Sequence, residues 1–435
     1  MSFEMTTLGE YIKVQGGYAY KSKDFIEFSN NKVLKIKNVR FCTVDYAEPA
    51  YVSDEIAAST RNWRVKEGDV LISMTGSGPS APQSLVGRVA RVWKNEPDAW
   101  INQRVGRVCL LDEDSVHLDF IFYWLSLPQS QEYLVSNSSG SANQANISGK
   151  IIESLPCPKV DYQTSKQIAD LARNFDEKVI LNSKTNQTLE QMAQAIFKSW
   201  FVDFDPVKAK MNGEQPEGMD AATASLFPEK LVESELGLIP EGWEASCMGE
   251  HFNITMGQSP KGETYNEEGE GIAFFQGRRD FGFRYPDVRV FTTDPKRYAK
   301  ADDTLISVRA PVGDKNMAAI DCCIGRGVAA IKHKSESRSF TYAFVSHIEK
   351  KLGDSGSSGT VFSSINQNEL KKVSFVAPPQ ALIEAFHKLV DPIDQKVQVL
   401  SGEIKSLSAL RDTLLPKLLS GEIELEQTES IVEAV

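Results

Sequence analysis

Apolar residues recur every seven positions in two long stretches of the chain. Between Gln380 and Ser420 one row reads Phe386, Ile393, Leu400, Leu407 and Leu414, and a second reads Val390, Val397, Ile404, Arg411 and Leu418. Moving 218 residues toward the N-terminus gives Ile168, Phe175, Asn182, Leu189 and Ile196, with Ala172, Val179, Asn186, Ala193 and Trp200. These are the a and d rows of a heptad seam, and both stretches keep the same frame, so two long coiled-coil helices are expected. Each covers about 40 residues, roughly 60 Å of helix. Pro392 is expected to kink the second helix and Pro416 to mark its last turns. Asn182 and Asn186 interrupt the first seam. They either fix its register from inside or simply face water. Phe197, Trp200, Phe201 and Phe204 close the first helix as core or partner-helix packing, not as a base-stacking platform.

Outside the seams the period shortens. Residues 33–36, 70–73, 86–92 and 105–111 are apolar runs between glycine and charged turns, which predicts strands of a mixed sheet. Residues 120–127 and 340–348 predict short helices. Strands and helices do not alternate as in βαβ units, so the class is α+β.

The chain also reads as one unit written twice. Leu8-Gly9-Glu10 recurs as Met248-Gly249-Glu250, with Val14 and Gly17 matching Ile254 and Gly257. Residues 66–73 recur as 300–307, Gly87-Arg88 as Gly325-Arg326, and Ser139-Gly140-Ser141 with Ile147 as Ser358-Gly359-Thr360 with Ile365. Both copies then run through proline, Pro156 and Pro158 in one and Pro378 and Pro379 in the other, into a helical pattern, and five matches in one order make chance a poor explanation. Residues 18–62 and 74–86 have little in common with 258–299 and 308–324. A constant frame with divergent loops suits a scaffold for recognition loops.

At 435 residues the chain has room for about three domains. Its 41% apolar and 25% charged residues exclude extended disorder. No apolar run is long enough for a membrane helix, and the N-terminal residues lack a secretory pattern. Six cysteines without ligand spacing read as reduced thiols in a cytoplasmic protein. The net charge of −11 speaks against a nucleic-acid partner until its distribution is considered. Residues 203–240 carry 3 bases and 8 acids, and 422–435 carry 5 acids and no base, so these segments hold −10 of it. Residues 32–107 hold 12 bases against 8 acids, and 278–338 hold 13 against 8. Two basic islands can attract phosphate locally because salt screens distant acids.

Catalytic signatures are missing. There is no GxxxxGK[ST], no GxGxxG opening a helix and no Asn-Pro-Pro-aromatic methyltransferase motif. The five histidines are scattered singly, without support for a zinc site or a Ser–His triad. The sequence describes a protein that binds and positions.

Three segments carry a resemblance. They are residues 188–206 (TLEQMAQAIFKSWFVDFDP), residues 238–243 (LIPEGW) and residues 410–423 (LRDTLLPKLLSGEI). With them, nearly the whole chain resembles the specificity subunit of type I restriction–modification enzymes, in that family's order. The resemblance implies two target-recognition domains, each reading half of a split DNA target, separated by two antiparallel helices in a pseudo-two-fold repeat. It places one domain at 1–160, a conserved helix at 161–212, an acidic linker at 213–240, the second domain at 241–379, a C-terminal helix at 380–421 and an acidic tail at 422–435. It implies a subunit without catalysis or cofactor of its own. S-adenosylmethionine, ATP and Mg are expected on two modification subunits and on restriction subunits. A coiled-coil scaffold without DNA binding, or a fragment of a fused restriction–methyltransferase, are the competing readings.

The residues expected near DNA are Gln276, Arg278, Arg279 and Arg309 in the second half, with Lys35, Lys37, Asn38, Arg40 and Arg88 in the first. Arginine can read guanine and glutamine adenine. A strand through 35 and 37 would put both lysines on one face. Gly140, Ser141, Gly359 and Thr360 are expected in loops suited to phosphate. Phe197, Trp200, Phe201, Leu414 and Leu418 are expected to dock partner subunits.

Overall fold

The structure, a computed structural model, describes residues 3–78, 85–141, 144–354 and 364–425. It divides into two units, Met1–Ile180 with Lys405–Val435, and Leu181–Ile404. Gly359 and Thr360 lie outside the described residues, as does the tail beyond residue 425.

The heptad rows fold as expected into helices Tyr162–Phe201 and Gln380–Ser420, here called the central and C-terminal helices. The C-terminal helix passes Pro392 and runs one turn beyond Pro416. Each unit takes a segment of both helices, and within each the segments run antiparallel. In the first unit Asp176 meets Arg411. In the second Asn186 meets Ser401 at 3.2 Å, while Phe197 lies against Phe386 with ring centroids 5.8 Å apart. Asn182 and Asn186 are buried in the seam.

The sheets repeat in order and direction. In the first unit the antiparallel order is Ile12–Gly16, Val105–Leu110, Val70–Ser73, Val89–Arg91. In the second it is Phe252–Met256, Val328–His333, Thr304–Ser307, Lys315–Met317. A second layer pairs Lys32–Leu34 in parallel with Ala99–Ile101, and Ile272–Phe275 in parallel with Cys322–Ile324. Gly17 and Gly257 hold one position in the frame. Their N–H groups donate to the carbonyls of Val105 and Val328, both at 2.9 Å. A Cβ would collide with the carbonyl oxygen of Asn102 at one site and of Gly325 at the other.

This register corrects one sequence match. Gly325 corresponds to Asn102, whose N–H donates to Leu34 O as that of Gly325 donates to Phe275 O. Gly87-Arg88 instead precedes the strand matching Lys315–Met317. The two Gly-Arg pairs resemble each other only because turns before strands favour glycine. A second correction concerns Lys35 and Lys37. The strand stops at Leu34, and Ile36–Asn38 forms a 3₁₀ turn. The Asn38 side chain accepts from the Lys35 N–H at 2.9 Å and donates to the Asp45 carbonyl at 2.8 Å, which closes the turn.

Candidate nucleic-acid interface

In the second unit the strand Ile272–Phe275 ends on Gln276 and Gly277, and Arg278–Asp280 turns as a 3₁₀ helix. Asp280 organises the turn. Its carboxylate accepts from the Gln276 N–H at 2.9 Å and from the Arg289 guanidinium at 2.8 Å. Arg289 also donates to the Arg279 carbonyl at 2.6 Å, and Arg278 pairs with Asp314. Arg309 enters from the end of the strand Thr304–Ser307, and Arg326 from the turn before Val328–His333. These segments enclose a cleft of about 490 Å³ lined by five arginines, 278, 279, 289, 309 and 326, against two acids, Glu267 and Asp280. Phe274 and Tyr265, centroids 4.9 Å apart, form an apolar wall. All five guanidinium-bearing residues are exposed.

The cleft therefore combines surplus positive charge, forked donors and aromatic faces. Such groups neutralise phosphates and read base edges. Composition signalled Arg278, Arg279 and Arg309, and the structure brings them together with Gln276. Arg289 and Arg326, which also line the cleft, were not singled out in the sequence. Arg289 lies ten residues from the turn it completes, and Arg326 was matched to the wrong partner.

The first unit keeps the frame and changes the chemistry. Lys35 lies 4.1 Å over the Phe25 ring. Lys37 pairs with Glu48 at 3.1 Å and Arg40 with Asp45 at 3.3 Å, at exposed positions where such pairs exchange readily with solvent. Asn38 and Arg88 are buried. Arg88 donates to the Ile36 carbonyl at 2.8 Å, and its N–H donates to Ser73 Oγ at 2.9 Å. Burial, then the nearby charge of Arg40, hold its pKa below the usual arginine range. It supports the 3₁₀ turn from inside, so neither residue presents a side chain to a ligand. Exposed Arg104, just before Val105–Leu110, occupies the turn matching Arg326 and Gly327. Gly140 sits at φ +111° in the strand Ser139–Ser141, which pairs with Gln144–Asn146.

The expected docking residues also lie elsewhere than predicted. Phe197, Trp200 and Phe201 are buried in the second unit's core against Phe386, Phe227 and Phe340, and Leu414 and Leu418 are buried in the first unit's core. Their apolar area is already used within the chain. Among the described residues no helix is long and apolar enough to cross a membrane, and no cluster of His, Cys, Asp or Glu could hold a metal ion.

A doubled α+β domain joined to paired long helices, with an arginine-lined cleft, defines a class of repeated recognition scaffolds. The family model for the type I restriction modification DNA specificity domain matches residues 2–191 and again 240–407, and the chain belongs to that family. The HindI type I specificity subunit of Haemophilus influenzae is 29% identical over 418 residues, with 82% of this chain and 87% of that protein covered. A Methanocaldococcus jannaschii protein, provisionally named the MjaX type I specificity subunit, is 27% identical over 431 residues, covering 98% and 94%. The crystal structure of a type I restriction–modification S subunit from M. genitalium shares the fold, with a TM-score of 0.60 at 18% identity and 96% of both chains covered.

Proposed function

We propose that this chain is the DNA-reading, non-catalytic subunit of a type I restriction–modification complex, and that each recognition domain reads one half of a split duplex target. The observation that carries the reading is the arginine cleft in the second copy of a doubled DNA-specificity domain. Modification subunits would supply S-adenosylmethionine chemistry, and restriction subunits would supply ATP- and Mg-dependent cleavage. In the second domain Arg279, Arg309 and Arg326 make no ion pair among the described residues, which leaves their forks available to guanine edges or phosphates. In the first domain Lys35, Lys37, Arg40 and Arg104 take the corresponding part, while Gly140 and Ser141 lie in a neighbouring strand. Partners would dock on helix and domain surface outside the buried seam.

The test is to map methylated bases across the genome with and without the gene. A split motif that vanishes with the gene is expected. Arg309→Ala and Arg326→Ala should each relax only one half-site, by about 1–3 kcal/mol where the side chain reads a base. Loss of both halves together, or a motif unchanged by deleting the gene, would overturn the assignment.

A further inference from the structure

The loop carrying most of the cleft arginines is fastened to the helices by one buried residue. Arg284 lies between Arg279 and Arg289 and is only 2% exposed. Its guanidinium pairs with Glu190 of the central helix, and with Asp394 of the C-terminal helix at 2.5 Å. It stacks 3.6 Å over the Tyr342 ring. The loop is also tied to the sheet. Arg284 O accepts from the Met317 N–H at 2.8 Å, and Gly282 exchanges two hydrogen bonds with the Asn316 side chain. One face of this short segment thus holds helices and sheet, and the other presents Arg278, Arg279 and Arg289 to the cleft.

The first unit solves the same problem differently. Its loop Asn38–Asp45 matches Asp280–Asp287 in length, and both close through the same bond at 2.8 Å, Asp45 N–H to Asn38 O and Asp287 N–H to Asp280 O. Counting from the closing residue, Cys42 stands where Arg284 stands. Asp176 matches Asp394 across the 218-residue repeat of the seam. With cysteine in place of arginine at that position, and Arg40 turned to Asp45, Asp176 is met by Arg411 of the C-terminal helix and by the Tyr123 hydroxyl at 2.8 Å. The seam position matching Arg411 in the second unit is Ala193. A buried carboxylate is thus retained in both copies. Its arginine comes from a helix in the first and from the recognition loop in the second.

We propose that Arg284 is a positioning residue for DNA recognition: its two-armed pair with Glu190 and Asp394 sets where the loop holds Arg278, Arg279 and Arg289, a latch the first recognition domain lacks. The proposal rests on the DNA-specificity reading above. A carboxylate buried without a partner would also be costly, so a purely structural role must be separated from a positioning one.

The repeat supplies the means. Arg284→Cys removes the latch, and adding Ala193→Arg rebuilds the first unit's solution, with Asp394 neutralised from the helix. The full chain with its modification subunits is used to select from a library of DNA duplexes containing a randomised window. The wild type should recover a split motif. Arg284→Cys should lower enrichment at one half-site roughly tenfold, the scale of one misplaced base contact, and leave the other half sharp. The double variant should regain the wild-type melting temperature while that half-site stays degenerate. If the double variant does not fold, Arg284→Lys is used. It keeps the buried charge and gives up the fork, and a folded Lys variant with the same half-site blurred supports the latch. A wild-type motif from Arg284→Cys or from folded Arg284→Lys, or recovery of melting and half-site together in the double variant, overturns it. If the wild type itself selects no motif, the DNA reading fails and the proposal falls with it.

Discussion

His333 ends the strand Val328–His333 with its ring 4.8 Å from that of Phe252 and 5.1 Å from that of Phe340. Nδ1 bonds Ser335 Oγ at 2.7 Å, and Nε2 is buried without a hydrogen-bond partner among the described residues. Burial, then the neighbouring His251 and Lys334, push its pKa down to about 4 from 6.5. Between these values the unfolded chain holds a proton that the folded chain rejects. Stability therefore rises with pH across that window and is lost as the solution is acidified. The shift corresponds to at most roughly 3 kcal/mol. His333→Phe suits the aromatic surroundings and removes the titration. Urea unfolding of the variant should change less between pH 7 and pH 4.5 than that of the wild type, and parallel pH profiles would show that His333 does not contribute. None of this was legible in the sequence, where His333 is one of five scattered histidines, because burial is a property of the folded neighbourhood.

At the scale of elements, the two copies keep contacts while exchanging the residues that make them. In the first unit Asp119, on the helix Leu118–Ser126, accepts from Arg173 of the central helix at 3.0 Å. In the second, Arg338 opens the helix Arg338–Asp354 and donates to Asp391 of the C-terminal helix at 2.7 Å. Residues 173 and 391 are one seam repeat apart, so the pair is kept with its signs reversed. The aromatic close of the central helix is likewise internal. Trp200 packs on Phe227 and Phe386 with centroids 5.3 and 5.9 Å away. Trp200→Ser should therefore destabilise the chain itself by about 3–5 kcal/mol, the range for removing a large buried aromatic, as measured by thermal or urea unfolding without any partner. Wild-type stability with failed assembly would return Trp200 to a docking role. Heptad spacing located this cluster, but a periodic apolar face looks the same whether its partner is intramolecular or another subunit.

Across the whole molecule, both helices are shared between the units, the central one changing membership after Ile180 and the C-terminal one after Ile404. If each recognition domain reads a half-site, helix length is the natural ruler for the spacer between them. Inserting four residues near Asn182 and four near Leu400 adds about 6 Å to each helix. The preferred spacer should lengthen, and both half-sites should keep their sequences, as methylation mapping would record. A spacer indifferent to the insertion would refute the ruler. The repeat, the seam frame and both long helices could be predicted from the sequence because their signals are periodic or local: a heptad, a glycine that no side chain can replace, a motif in the same order twice. The composition of the cleft was only half legible. Arg278, Arg279 and Arg309 stood out as charge, but the inward turn of Arg88 and Arg284, the placing of Arg289 and Arg326, and the burial of Trp200 follow from strand register and from the neighbours each side chain finds in the fold. Arg284 finds Asp394 across 110 positions, and Arg411 finds Asp176 across 235. Local pattern cannot encode them, and only tertiary structure decides them.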